Sequence, residues 1–84
     1  MAIYRQSTKT AVKDAETVKF LSSLFSALDA KKKQIMQANR RSFVLRDHVL
    51  ARVDSYELRA NYVLDMIDIV DSNNKLIDSF FRLN

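Results

Sequence analysis

The first half of the chain has an apolar pattern with helical spacing. Large apolar side chains recur every three or four residues, at Val18, Leu21, Leu24, Phe25, Leu28 and Ile35. These intervals place side chains on one face of an α-helix. The serines and lysines between them fall largely on the opposite face. The pattern predicts an amphipathic helix over residues 11–38.

The second half has a longer repeat of the same kind. Its apolar residues advance by alternating steps of four and three, through Val49, Val53, Tyr56, Ala60, Val63, Ile67 and Val70. Such steps are typical of the a and d positions of a heptad repeat. The heptad register of the first segment also continues into this one without a shift. We therefore predict a second helix over residues 43–71.

Polar segments precede, divide and follow these two patterns. Residues 1–10 are polar and rich in Ser and Thr, which predicts a flexible arm. Residues 39–42 predict a turn, because Asn39 tolerates a left-handed backbone and Ser42 is a good helix N-cap. Residues 71–74 are four turn-forming residues in a row, and the apolar residues after them predict a short helix over residues 75–83.

The predicted fold class is therefore all-α. We expect a helical hairpin of two long helices plus a short C-terminal helix, forming a single domain over residues 11–84. One continuous rod of about 60 residues, roughly 90 Å long, is the alternative. The apolar stripe of the first helix is wider than one partner helix covers, so the hairpin should assemble into a helical bundle or coiled coil.

Two sets of apolar residues are expected to carry this assembly. The predicted oligomer interface contains Leu21, Phe25, Leu28, Val49, Val53, Tyr56, Val63, Ile67 and Val70. The predicted docking tail contains Ile77, Phe80 and Phe81, which follow the break at residues 71–74. Adjacent phenylalanines are costly to leave in water, so another part of the chain or a neighbouring subunit should cover them.

Composition narrows the function classes. The 84 residues include no Gly, Pro, Cys or Trp. Without Gly, few positions should adopt positive φ, so tight hairpin turns and phosphate-binding loops should be absent or should use one of the five asparagines, at Asn39, Asn61, Asn73, Asn74 and Asn84. Without Cys there is no disulfide, thiolate metal site or thiol nucleophile. No wholly apolar run is longer than four residues, and the N-terminus has no apolar signal segment. We expect no membrane span and a cytoplasmic location, with export by a leaderless route as the alternative.

Charge is distributed unevenly along the chain. The net charge of +4 divides into +7 over residues 1–46 and −3 over residues 47–84. Opposite charges on the two halves favour their packing side by side. The basic cluster, whose charge could neutralise the phosphates of a nucleic acid, contains Lys31, Lys32, Lys33, Arg40, Arg41 and Arg46.

No set of residues in the sequence has the spacing of a known type of catalytic site. His48 is the only histidine, and no second ligand is spaced to complete a metal site with it. We predict no catalytic, metal or cofactor site and no small-molecule substrate. The predicted function is a non-enzymatic structural or protein-interaction subunit that assembles with itself or with another helical protein. The alternative is a nucleic-acid-binding accessory protein that uses residues 31–46.

Overall fold

The computed structural model describes residues 2–38 and 48–83. These residues form one helix and six strands. In chain order the elements are β1 (Ala2–Arg5), β2 (Thr10–Ala11), α1 (Ala15–Ala38), β3 (His48–Val53), β4 (Tyr56–Asn61), β5 (Met66–Val70) and β6 (Leu76–Leu83). The helix packs on one face of the sheet, and the opposite face is called the open face below.

The predicted all-α fold is wrong. Most of the segment expected to be a second long helix forms β3, β4 and β5, and the expected short C-terminal helix is β6. The helical hairpin, the continuous rod and the coiled coil are excluded with it. The turn predicted over residues 39–42 lies outside the described residues. The predicted N-terminal arm, residues 1–10, contains β1.

The sheet is antiparallel, with strand order β2-β1-β6-β5-β4-β3. β6 lies between β1 and β5. The first strand of the chain and the last are therefore neighbours in the sheet. The register places Tyr4 opposite Phe81, and it places Ile67 between Ala60 and Phe80. The two edges of the sheet are β2, which has only two residues, and β3, which has six.

β4 shows why this part of the chain forms strands. Successive side chains of a strand point to opposite faces of the sheet, so a half-buried strand alternates apolar and polar residues. The members that face the helix and are buried are Leu58, Ala60 and, just after the strand, Tyr62. The polar residues that alternate with them are Glu57, Arg59 and Asn61. The same segment also fits a heptad repeat. In the folded protein it forms a strand, because packing one face of the sheet against the helix buries the alternate apolar residues.

The turns between strands form without glycine. Four non-glycine residues among those described have positive φ: Lys9, Asp54, Asp65 and Asn74. Asp and Asn enter this region more readily than most residues, because their short side chains bond to nearby backbone. At the β5–β6 turn, Asp71 Oδ1 accepts backbone N–H bonds from Asn73 and Lys75, both at 2.9 Å. The expectation that such positions are absent or use Asn is met at Asn74 but is wrong at the other three, which are Lys or Asp.

Helix α1 begins with a side-chain cap. Asp14 Oδ2 accepts bonds from the Thr17 backbone N–H at 2.9 Å and from the Thr17 hydroxyl at 2.6 Å. These bonds satisfy a backbone donor that the first turn leaves unpaired. They also lower the pKa of Asp14, the side-chain bond contributing most. The cap sets the start of a helix of 24 residues, about 36 Å long.

The core lies between α1 and the sheet. The helix contributes Leu21, Leu24, Phe25 and Leu28. The sheet contributes Ile3, Leu58, Ala60, Tyr62, Ile67 and Phe80. Among the described residues, one helical layer covers the sheet, on one face, and no further strand pairs with the outer side of β3.

Candidate interaction surface

Strand β3 forms a long edge of the sheet. It pairs with β4 from His48 opposite Ala60 to Val53 opposite Tyr56. No other strand of the described residues pairs with its outer side. An antiparallel strand has backbone N–H and C=O groups on both sides, so an edge strand offers one row of them to another chain.

A β-bulge determines where the β3 side chains point. The ladder with β4 shifts between Val49 and Ala51, so Leu50 is an extra residue in the strand. Leu50 and Ala51 both pack against the core, on the helix side of the sheet. Alternation on either side of this pair places Val49 and Arg52 on the open face. His48 and Val53 then return to the helix side.

A groove runs between β3 and α1. Its volume is about 290 Å³, and it is lined by Ala27, Ala30, Lys31, Gln34, Val49 and Leu50. The two alanines leave room beside the strand, while Lys31 and Gln34 supply polar groups from the helix. Val49 is 39 % exposed and Val53 is 44 % exposed, so apolar side chains on this edge remain in contact with solvent. The edge and the groove together form a surface that fits an extended chain.

The start of β3 is attached to the core through His48. Its Nδ1 lies 2.8 Å from the hydroxyl of the buried Tyr62, and the two rings meet edge to face with centroids 5.5 Å apart. The strand is therefore held in place at its first residue. This contact gives the only histidine of the chain a structural partner.

A charged cluster joins β3 to β4 on the open face. Arg52 Nε donates to Glu57 Oε2 at 3.1 Å, and Arg59 Nη2 donates to Glu57 Oε1 at 2.7 Å. Arg59 also donates to Asn74 Oδ1 at 2.5 Å. The hydrogen bond from Arg59 is the largest cause that lowers the pKa of Glu57, and the bond from Arg52 adds to it. Both arginines thus have a carboxylate partner, and Arg52 remains 71 % exposed.

The predicted interface residues divide between the core and the surface. The interior members, none more than 7 % exposed, are Leu21, Phe25, Leu28, Ile67 and Val70. The exposed members are Val49, Val53, Tyr56 and Val63. Three of these exposed residues belong to the β3–β4 hairpin, while Val63 follows β4. That any of them contacts another subunit stays a prediction.

The other predicted site residues are separated as well. Ile77, Phe80 and Phe81 lie in β6, in the middle of the sheet; Phe80 is 5 % exposed in the core, and Ile77 is 50 % exposed. Lys31, Lys32 and Lys33 lie in α1. Arg40, Arg41 and Arg46 lie outside the described residues. A nucleic-acid contact through this cluster stays a prediction.

Sequence reasoning missed the β3 edge, although one signal for it was present. The run from Tyr56 to Tyr62 alternates apolar and polar residues without a break, which is a strand pattern. Two turn-forming residues, Asp54 and Ser55, separate it from the apolar residues of β3. Together these features indicate a hairpin. Nothing local indicates that β3 lies at an edge.

The described residues contain neither a metal-binding cluster nor a membrane-spanning helix. None of their His, Asp and Glu side chains form a group of three or more that could hold a metal ion. The helix that the structure describes is not long and apolar enough to cross a membrane. Comparison of the chain with models of known protein families, with curated proteins and with solved structures finds no match in any of the three.

Proposed function

We propose that this chain is a non-enzymatic protein-interaction module that binds an extended protein segment along β3. The observation that carries the proposal is the six-residue edge strand with an open groove beside it. A strand added to such an edge gains affinity from main-chain hydrogen bonds, and neighbouring pockets supply the preference for particular side chains.

The composition of the edge supports this proposal. Proteins protect exposed edges with Pro, with Lys or with very short strands. β3 contains neither residue and is three times as long as β2, which forms the other edge. The protective features among its residues are the charged Arg52 and the bulge, which directs Leu50 and Ala51 toward the core. Among the described residues, no strand pairs with the outer backbone of β3.

The groove supports a preference for certain side chains. An added strand would point alternate side chains toward the helix side, next to Ala27, Ala30 and Leu50. Apolar side chains fit that wall, because burying them there removes apolar surface from water. Lys31 on the same wall favours a carboxylate nearby. The expected segment is therefore extended, largely apolar on one side, and carries an acidic residue.

Selection of unconstrained peptides tests the proposal. Random ten-residue peptides are selected against the immobilised full chain, and the tightest binder is titrated into isotopically labelled protein. We expect amide chemical-shift changes in β3 and in the groove residues Ala27 and Ala30. N-methylation of alternate peptide amides on the side that faces β3 should abolish binding, because it removes donors and leaves the side chains unchanged. The same peptide methylated at the intervening amides is the matched control.

Two outcomes would contradict the proposal. Peptides that map to the open face, far from β3, would show that the edge is not the binding surface. Binding that tolerates both methylation patterns equally would show that main-chain pairing does not contribute to it.

A further inference from the structure

We infer that the segment bound along β3 carries an acidic residue directly opposite Arg52, with an apolar residue on either side of it; the inference rests on the proposed function. This acidic residue lies on the open face, so it is distinct from the one that Lys31 favours on the helix side. The backbone direction at Arg52, the unused donors of its guanidinium and the charge of the turn after it each support the inference.

The backbone of Arg52 points away from β4. The turn after β3 has two residues, and Val53 and Tyr56 form the pair that closes it. The pair that closes a two-residue turn is hydrogen-bonded, and in an antiparallel ladder such pairs alternate with pairs that exchange no hydrogen bonds. Arg52 belongs to the next pair, so its N–H and C=O point to the outer side of the edge. A bound strand can therefore pair with the backbone of Arg52.

The bulge limits regular pairing to the end of β3. The ladder shifts between Val49 and Ala51, so Ala51, Arg52 and Val53 form its uninterrupted part. Residues directly opposite each other in a sheet point to the same face. Whichever way the segment runs, it places one side chain on the open face next to Arg52 and the two adjacent side chains on the helix side. Apolar side chains fit the helix side, because Ala51 packs against the core and Val53 is an exposed apolar residue.

The guanidinium of Arg52 has donors left for a second carboxylate. Its Nε donates to Glu57 Oε2 at 3.1 Å, which is its one hydrogen bond among the described residues. A guanidinium has five N–H donors, so both terminal nitrogens can donate to a ligand. Arg59, in contrast, bonds to both Glu57 and Asn74 and is largely covered. A carboxylate on the outer side of Arg52 can therefore bind in the two-pronged geometry that arginine favours.

The charges around Arg52 favour a carboxylate opposite this residue rather than beside the turn. Asp54 follows β3 directly, so an acidic residue placed further toward the turn meets a like charge. A charge on an edge strand protects it from unselective pairing. Here the charge also selects a partner, because a basic strand is repelled and a neutral strand forms no ion pair. The net charge of the chain, +4, adds a general attraction for an acidic partner.

Three peptides that differ at one position test the inference. Each has ten residues that alternate Ser and Val, with Glu, Gln or Lys in place of one central Ser. The valines then face the groove, and the variable residue faces the open face. Calorimetric titration at low salt gives the Kd of each peptide for the full chain, and amide chemical shifts confirm binding at β3. We expect the Glu peptide to bind about fivefold more tightly than the Gln peptide and the Lys peptide to bind most weakly.

Reversal of the protein charge identifies Arg52 as the residue that recognises the carboxylate. Arg52→Glu should make the Lys peptide bind more tightly than the Glu peptide. This variant faces Glu57, so urea unfolding checks that it is folded. Arg52→Gln adds no negative charge there, and it should remove most of the preference for Glu over Gln. Lys19→Gln is the matched control, because it changes the net charge equally about 18 Å along α1 from Lys31, and it should keep the wild-type order.

The outcomes separate this inference from the proposed function. Equal binding of the three peptides at β3 would overturn the inference, and so would an order that both Arg52 variants leave unchanged. The proposed function would then stand with a different preference. A dimer in sedimentation velocity that the Glu peptide does not dissociate would show that a second copy occupies the edge, and would also overturn the inference. If no peptide binds at β3, both proposals fail.

Discussion

At the scale of single residues, Arg82 joins the two layers of the molecule. Its Nη1 and Nη2 donate to the two oxygens of Asp29 on α1, at 2.9 and 2.6 Å. Nη2 also donates to Asp65 Oδ1 at 3.0 Å, and the guanidinium lies 4.8 Å from the centre of the Phe25 ring. The hydrogen bond from Arg82 is the largest cause that lowers the pKa of Asp29. The Arg82 side chain is 16 % exposed, whereas both of its carboxylate partners are about half exposed, so water partly screens these contacts.

Replacing Arg82 should therefore weaken the attachment of helix to sheet. We expect Arg82→Ala to lower the free energy of unfolding by about 1–3 kcal/mol, measured by urea denaturation at pH 7. The loss should stay below that of a fully buried pair, because Asp29 and Asp65 are 55 % and 46 % exposed and regain water. Arg82→Lys keeps the charge but loses the two-pronged contact, so it should fall between the wild type and Arg82→Ala.

Arg52→Ala is the matched control. Its guanidinium also bonds to a carboxylate, but it is 71 % exposed. The change in free energy of unfolding should stay within about 0.5 kcal/mol. Equal losses for Arg52→Ala and Arg82→Ala would show that Arg82 does not hold the layers together.

At the scale of elements, residues that share one apparent heptad have very different environments. Ile67 is fully buried in β5, between Ala60 and Phe80 on neighbouring strands. Val53 ends β3 at the sheet edge and is 44 % exposed. Val63 lies in the β4–β5 connection and is 74 % exposed. If these residues lined one face of a helix, all three would be buried to a similar extent. Their exposed fractions differ because they occupy different positions in and around the sheet.

Aspartate substitutions distinguish these environments. Ile67→Asp should prevent folding, because an unpaired carboxylate in the core costs several kcal/mol, which is a large part of the stability of so small a domain. Val53→Asp should fold, with a loss of about 1 kcal/mol or less, since the new carboxylate reaches water. Far-UV circular dichroism and urea unfolding measure both effects. Similar losses for the two variants would point to a shared buried face and would contradict the sheet register.

At the scale of the whole molecule, the fold depends on contacts between the chain's distant ends. β1 pairs with β6, and the rings of Tyr4 and Phe81 stack with centroids 5.4 Å apart. Asp78 adds a polar connection, because it accepts bonds from the Ser7 backbone at 3.1 Å and from the Ser7 hydroxyl at 2.8 Å. Arg5 Nη1 donates to the same carboxylate at 3.3 Å. A central strand of the sheet thus comes from the end of the sequence.

These carboxylate contacts make stability depend on pH. Burial raises the pKa of Asp78, but hydrogen bonds from Ser79, Ser7 and Arg5 outweigh it and leave that pKa below its ordinary 3.8. The pKa of Asp29 is lowered as well. The unfolded chain therefore binds protons more tightly at these two carboxylates than the folded chain does. Their contribution to stability is fully present above the pKa of the unfolded chain, and it is lost as pH falls through the lower pKa of the folded chain. We expect the urea midpoint to decline from about pH 5 to pH 2.5.

A substitution assigns part of that decline to Asp78. Asp78→Asn cannot titrate at this position, so its midpoint should be lower at pH 7 and should change less between pH 6 and pH 3. An unchanged wild-type midpoint over that interval would show that these carboxylates do not contribute in the way proposed.

The sequence by itself determined the buried face of α1. Leu21, Leu24, Phe25 and Leu28 are spaced for a helix and are buried together, whereas the helix begins at Ala15, after the Asp14 cap, and not at residue 11 as predicted. Helical hydrogen bonds join residues four apart, so this information is local. The alternation in β4 was equally local, but it competed with a heptad pattern over the same residues. No local pattern could choose between them.

Only the tertiary structure decided the strand order and the candidate site. β3 is an edge because β6 inserts between β1 and β5, and the partners in these pairings lie far apart in the sequence. Strand hydrogen bonds come from other strands, so neither register nor edge position is encoded by any single segment. The groove beside β3 likewise exists only where α1 crosses the sheet. Its two walls, Ala27 and Leu50 among them, are brought together by packing rather than by sequence spacing.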